Sequence, residues 1–136
     1  MNFDPVGINK DGEYYMKFNR PFNPTEKIQL LQRSILVNSF AYYELNENIL
    51  TDFQYDDNAK QLAELKKQYP DEFNRSRYYD YFYDYCSEDE DIHFTSGFDL
   101  LERVRKYDPQ LHRRLHMDAV VALDLKQRYG TDGMEV

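Results

Sequence analysis

Apolar positions recur at helical spacing in four stretches of this chain, and the polar breaks between them carry residues that helices use as caps. Asn23-Pro24-Thr25-Glu26 reads as a helix start, with Asn as N-cap, Pro at the first helical position and Glu closing a capping box. The stripe Ile28, Leu31, Ile35 and Tyr42, widened by Leu30, Val37 and Ala41, predicts a long first helix ending near Glu44 or Leu45. Asn46-Glu47-Asn48 breaks it, and Thr51-Asp52-Phe53-Gln54 repeats the capping-box pattern. A second helix therefore starts at Thr51 or Asp52, with Tyr55, Ala59, Leu62, Leu65 and Tyr69 inward. Lys60, Glu64 and Lys67 remain in solvent, and Pro70 ends the helix. Thr95 or Ser96 can cap a short helix from Phe98 to about Tyr107. Asp108-Pro109 opens a last one with Leu111, Leu115, Ala119, Ala122 and Leu125 inward, and Gly130 is a natural stop.

Two segments fit this scheme less directly. Val6 to Phe18 has an Asp11-Gly12 turn signal between partly alternating apolar residues, as a small β-hairpin would. Tyr78 to Tyr85 alternates like a strand, yet Tyr78, Tyr81, Phe82 and Tyr85 also share a helical face. Helical neighbours and the lack of partner strands favour helix there. The expected fold is mostly all-α: a helix–loop–helix hairpin over residues 24–73, then a helical extension over 74–136 that includes an acidic loop, within one domain of 136 residues.

Composition narrows the function classes. One cysteine, Cys86, excludes an internal disulfide and any Cys-clustered metal site. No stretch approaches the roughly 20 apolar residues of a membrane span, and residues 1–20 lack a signal-peptide pattern, so a cytoplasmic protein is expected. The net charge of −8 is uneven: residues 44–91 hold fourteen acids against five bases, a balance of −9, whereas residues 98–128 hold seven bases against five acids. Affinity for nucleic acid comes largely from Lys and Arg on phosphates, so this balance opposes direct nucleic-acid binding. Thirteen Tyr and nine Phe without a Trp make aromatic content the unusual feature, and such rings serve both core filling and stacking.

The most informative constellation is Tyr42-Tyr43 followed by Asp52, Tyr55 and Asp56. A bend between the two helices brings these phenols and carboxylates to one end of the hairpin. Tyrosine faces attract a flat cationic ring by about 0.5–2 kcal/mol per contact, and carboxylates accept hydrogen bonds from amide and hydroxyl groups. Tyrosines at helix ends also serve as core or rim residues, and Asp52 suits an N-cap.

Residues 42–73, YYELNENILTDFQYDDNAKQLAELKKQYPDEF, resemble the N-terminal module, often called domain Ia, of bacterial NAD-dependent DNA ligases. That family's pattern is a Tyr pair, a polar turn, then Asp-x-x-Tyr-Asp and a helix ending in Pro. The resemblance implies a small helical unit that binds the nicotinamide mononucleotide (NMN) half of NAD, with Tyr42, Tyr43, Asp52, Tyr55 and Asp56 lining the nicotinamide site. It also implies kinship with short ligase-like proteins of phages and prophages of Gram-positive bacteria. Departures accompany the matches. Asn38-Ser39 stands where the family usually has His-Asn, Asn48 replaces the turn Pro, and Ala41 holds a commonly basic position. The adenylating Lys-x-Asp-Gly motif is missing; Lys10-Asp11-Gly12 is one residue short. A non-catalytic NMN- or NAD-binding module is therefore expected, one that does not ligate by itself.

Other candidate chemistry is thinner. His112 and His116 stand four apart, a zinc-compatible spacing, but H-R-R-L-H lacks the Glu of H-E-x-x-H and a third ligand, so surface histidines are the simpler reading. Arg113 and Arg114 read as a solvated helix face, and Cys86 beside an acidic run is a poor nucleophile. The competing function is an interaction protein, such as a phage inhibitor of a host or defence protein. In that reading the hairpin is only scaffold, and the acidic, Tyr-rich residues 71–91 engage a basic protein partner.

Overall fold

The computed structural model describes residues 23–86 and 95–129, together with the backbone of three short strands that precede them. The strands β1 (Gly7–Ile8), β2 (Tyr14–Met16) and β3 (Arg20–Pro21) form an antiparallel sheet in sequence order, with Gly7 opposite Tyr15 and Met16 opposite Arg20. The predicted hairpin thus has paired strands; its Asp11-Gly12 turn lies outside the described residues. Six helices follow among the described residues: α1 (Pro24–Glu44), α2 (Asp52–Gln68), α3 (Pro70–Asn74), α4 (Tyr79–Phe82), α5 (Gly97–Tyr107) and α6 (Pro109–Tyr129). None is long and apolar enough to cross a membrane.

The helix boundaries follow the caps. Asn23 Oδ1 accepts from the Glu26 N–H at 2.8 Å, and Pro24 opens α1. Thr51 and Gln54 form a reciprocal capping box at α2, with bonds of 3.0 and 3.1 Å. Ser96 Oγ accepts from the Asp99 N–H, and Asp108 Oδ1 from the Leu111 N–H. Each bond satisfies an amide that the first helical turn leaves without a backbone partner.

α1 is the centre of the bundle, touched by α2, α3, α5 and α6. Being enclosed on several sides, it buries more than one stripe: Ile28, Ile35, Leu36, Phe40 and Ala41 with the polar Gln32 and Ser39. This corrects the predicted stripe, since Leu30 and Tyr42 are exposed, at 50% and 54%. Gln32 Nε2 donates to Ser76 Oγ at 2.9 Å and Ser76 in turn donates to the Phe73 carbonyl, tying the chain after α3 to α1, while Gln32 Oε1 has no hydrogen-bond partner among the described residues. Leu62, Phe73, Phe82, Leu100, Val104, Leu111 and Leu115 complete the core. On α6 full burial stops at Ala119, so Leu125 is exposed rather than inward.

Within residues 78–85, Tyr79–Phe82 form one short helical turn, α4, and no residue of the run is in a strand. Tyr78, Phe82 and Tyr85 are buried, which takes much of the expected Tyr-rich surface into the core; the acidic run after Ser87 lies outside the described residues. Four helical residues do not hold themselves. They are anchored by Lys66 Nζ, which donates to the carbonyls of Tyr83 and Tyr85, and by Arg103. Arg103 donates to the Tyr81 carbonyl, grips the Asp84 carboxylate with two bonds of 2.8 and 3.0 Å, and lies over the Tyr83 ring.

The Arg103 guanidinium holds the Asp84 carboxyl below its ordinary value of 3.8. A depressed native pKa stabilises the fold above the ordinary value, and that contribution fades as pH falls through the native value. Asp84→Asn should therefore lower stability at neutral pH by no more than about 1 kcal/mol, because the pair is partly exposed. The gap from wild type should close as pH drops below about 3.8. Thermal midpoints measured by circular dichroism across pH 2–7 would show this; parallel curves would refute it.

Candidate functional site

The bend between α1 and α2 is fixed by a few local interactions. The Leu45 and Glu47 N–H groups both donate to the Ala41 carbonyl, at 3.2 and 2.9 Å. Asn46 adopts φ 55°, the left-handed conformation that Asn tolerates better than most residues. Lys126 of α6 donates to the Asn48 carbonyl at 2.6 Å, and Ile49 plugs into the core. Thus held, the bend sets the end of α1 beside the start of α2, and a cavity of about 410 Å³ opens there. This lies within the range of about 300–1,000 Å³ typical of small-molecule sites.

All five residues singled out from sequence line this cavity: Tyr42 and Tyr43 on the last turn of α1, and Asp52, Tyr55 and Asp56 on the first turns of α2. Their environments differ. Tyr42 and Tyr43 are about half exposed, at 54% and 47%, while both carboxylates are exposed. The two rings meet edge to face, 4.8 Å apart at 87°, and Tyr43 meets Phe98 of α5 similarly at 5.7 Å. Tyr55 is largely buried and shares a 3.2 Å hydrogen bond with Ser39 Oγ, so it helps to build the floor.

Further lining comes from residues not predicted for the site. Tyr85 and Cys86 follow α4, and Thr95, Ser96 and Gly97 lead into α5. Thr95 Oγ1 donates to the Asp84 carboxylate at 3.0 Å, tying these two strands of chain together. Gly97 lies so close to α1 that a Cβ there would stand 2.3 Å from Ser39 Oγ and 3.1 Å from the Tyr55 hydroxyl.

Burial raises the phenol pKa values of Tyr55 and, more strongly, of Tyr85, with neighbouring acidic groups adding to the effect. Tyr43 shifts upward too, by partial burial and then by proximity to Tyr42 and Asp99. All three are neutral hydroxyl donors at physiological pH. Asn38, also lining the cavity, donates to the Ser34 carbonyl at 2.7 Å, while its buried Oδ1 has no hydrogen-bond partner among the described residues.

His112 and His116 serve packing. His112 Nε2 lies 2.7 Å from Glu44 Oε2, and both His112 and His116 contact the Phe40 ring, with His116 stacked on it. Among the described residues no group of three or more His, Cys, Asp or Glu is placed to hold a metal ion.

The cavity thus combines tyrosine rings, exposed carboxylates and phenol donors at the bend of a helical hairpin. Residues 22–77, which include that hairpin and all five predicted residues, match the family described as the DNA ligase-like, N-terminal NAD+-binding domain. Two DNA ligases of Porphyromonas gingivalis, from strains ATCC 33277 and W83, are each 38% identical over 48 residues, 35% of this chain. The aligned part spans only 7% of the length of those ligases. No solved structure matches the chain at a significant level.

Proposed function

We propose that this chain is a non-catalytic nicotinamide-nucleotide binding module that takes up NMN or the nicotinamide half of NAD in the cavity at the α1–α2 bend. The observation that carries the reading is that Tyr42, Tyr43, Asp52, Tyr55 and Asp56 all line one cavity, within a segment similar to an NAD+-binding domain. The residues fit the ligand's chemistry. A pyridinium ring stacks on the exposed face of Tyr42 or Tyr43 and gains cation–π attraction. Asp52 and Asp56 accept from ribose hydroxyls.

Isothermal titration of NMN and NAD into the wild-type chain should give saturable heat. Tyr42→Ala and Asp56→Ala, both at exposed positions and so compatible with folding, should each weaken binding about tenfold, the equivalent of ~1.4 kcal/mol. Absence of heat at millimolar ligand, with the protein folded, would count against the nucleotide site and in favour of the protein-interaction reading.

A further inference from the structure

The charges around the cavity bear on which part of the nucleotide is recognised. Two carboxylates, Asp52 and Asp56, line it against a single cation among the described lining residues, Lys60, which already has an interaction of its own. No arginine or histidine lines it among the described residues. The backbone could still attract an anion, because the N-termini of α2 and α5 both reach the cavity and helix N-termini favour negative charge. Both are answered in part from within the chain. At α2 the capping box takes the Thr51 and Gln54 amides, and Asp52 adds a carboxylate to the first turn. At α5 Ser96 Oγ takes the Asp99 N–H, and the Asp99 carboxylate sits on the first turn, close enough to Tyr43 to raise its pKa.

We infer that the cavity recognises the cationic nicotinamide riboside unit, and that the 5′-phosphate of a nucleotide weakens rather than strengthens binding. This rests on the nicotinamide reading above and specifies its ligand class: a positively charged N-ribosylated pyridine. The physical cause is electrostatic. The riboside carries one positive charge, whereas a phosphomonoester adds about −1.5 to −2 at pH 7. It does so beside two carboxylates, in a protein whose net charge is −8. With no guanidinium among the described lining residues to clamp it, the phosphate loses solvation without recovering charge-assisted hydrogen bonds.

The test is isothermal titration of nicotinamide riboside, NMN, NAD and the reduced, uncharged dihydronicotinamide riboside into the full chain, at about 20 mM and about 200 mM ionic strength. The oxidised riboside should bind about fivefold or more tightly than NMN at the lower ionic strength, and the gap should shrink at the higher one as screening shortens the reach of the charges. The reduced riboside should bind at least about tenfold more weakly than the oxidised form, since it has lost the cation. NMN or NAD binding as tightly as the riboside, or more tightly, overturns this inference and leaves the nicotinamide reading standing. Equal binding of reduced and oxidised riboside also overturns it. Saturable heat from none of the four ligands removes the nicotinamide reading and this inference with it.

Discussion

Phe82→Ala is expected to destabilise the protein by about 3–5 kcal/mol, the range for removing a fully enclosed aromatic side chain. Phe82 has no solvent exposure and sits in a four-residue helix. Its ring packs 5.3 Å from that of Tyr85. An isolated turn of this length has no intrinsic stability, so its position depends on that packing and on the bonds from Lys66 and Arg103. Because Tyr85 forms a wall of the cavity, the loss should extend to the site. Urea unfolding followed by circular dichroism, with Phe82→Leu as the milder control, measures the effect. A loss under about 1 kcal/mol would mean that α4 is not anchored by this residue. Against a total stability of roughly 5–15 kcal/mol for a domain of ordinary size, the expected value is a large share.

Gly97→Ala should cost about 1–3 kcal/mol, as overpacking does, although alanine is otherwise the better helix former. The new methyl would fall 2.3 Å from Ser39 Oγ and 3.0 Å from Ser39 Cβ. The serine hydroxyl can rotate away only by giving up its bond to Tyr55, and even then α5 has to retreat from α1. A double-mutant cycle isolates the clash: in a Ser39→Ala background the same glycine substitution should cost at least about 1 kcal/mol less. Additivity within about 0.5 kcal/mol would show that α5 does not depend on this close approach. The contact also gives a physical account of Ser39 itself. A larger side chain there, such as the Asn usual in the resembled family, would meet the first residue of α5 where Gly97 already leaves no room.

What the chain's own pattern determined is what local chemistry controls. Asn23, Thr51 with Gln54, Ser96 and Asp108 each bond an amide three residues away, so the helix starts were legible without knowledge of the rest of the molecule. Pro70 is local too, since it cannot continue α2. Asp52, Tyr55 and Asp56 share the first turns of α2, and a three-residue polar break brings the Tyr pair back beside them. The five lining residues were therefore readable together. Tertiary packing decided the rest, because burial belongs to neighbours that are remote in sequence. α1 hides Gln32 and Ser39 and exposes Leu30 and Tyr42 because several helices surround it. The Tyr78–Tyr85 run became a helical turn because Lys66 and Arg103, reaching in from α2 and α5, hold its carbonyls. The far wall of the cavity, Tyr85 and Gly97, carries no local signature. It exists only where the extension folds back against the hairpin, and steric fit between Gly97 and Ser39 sets how near it can come.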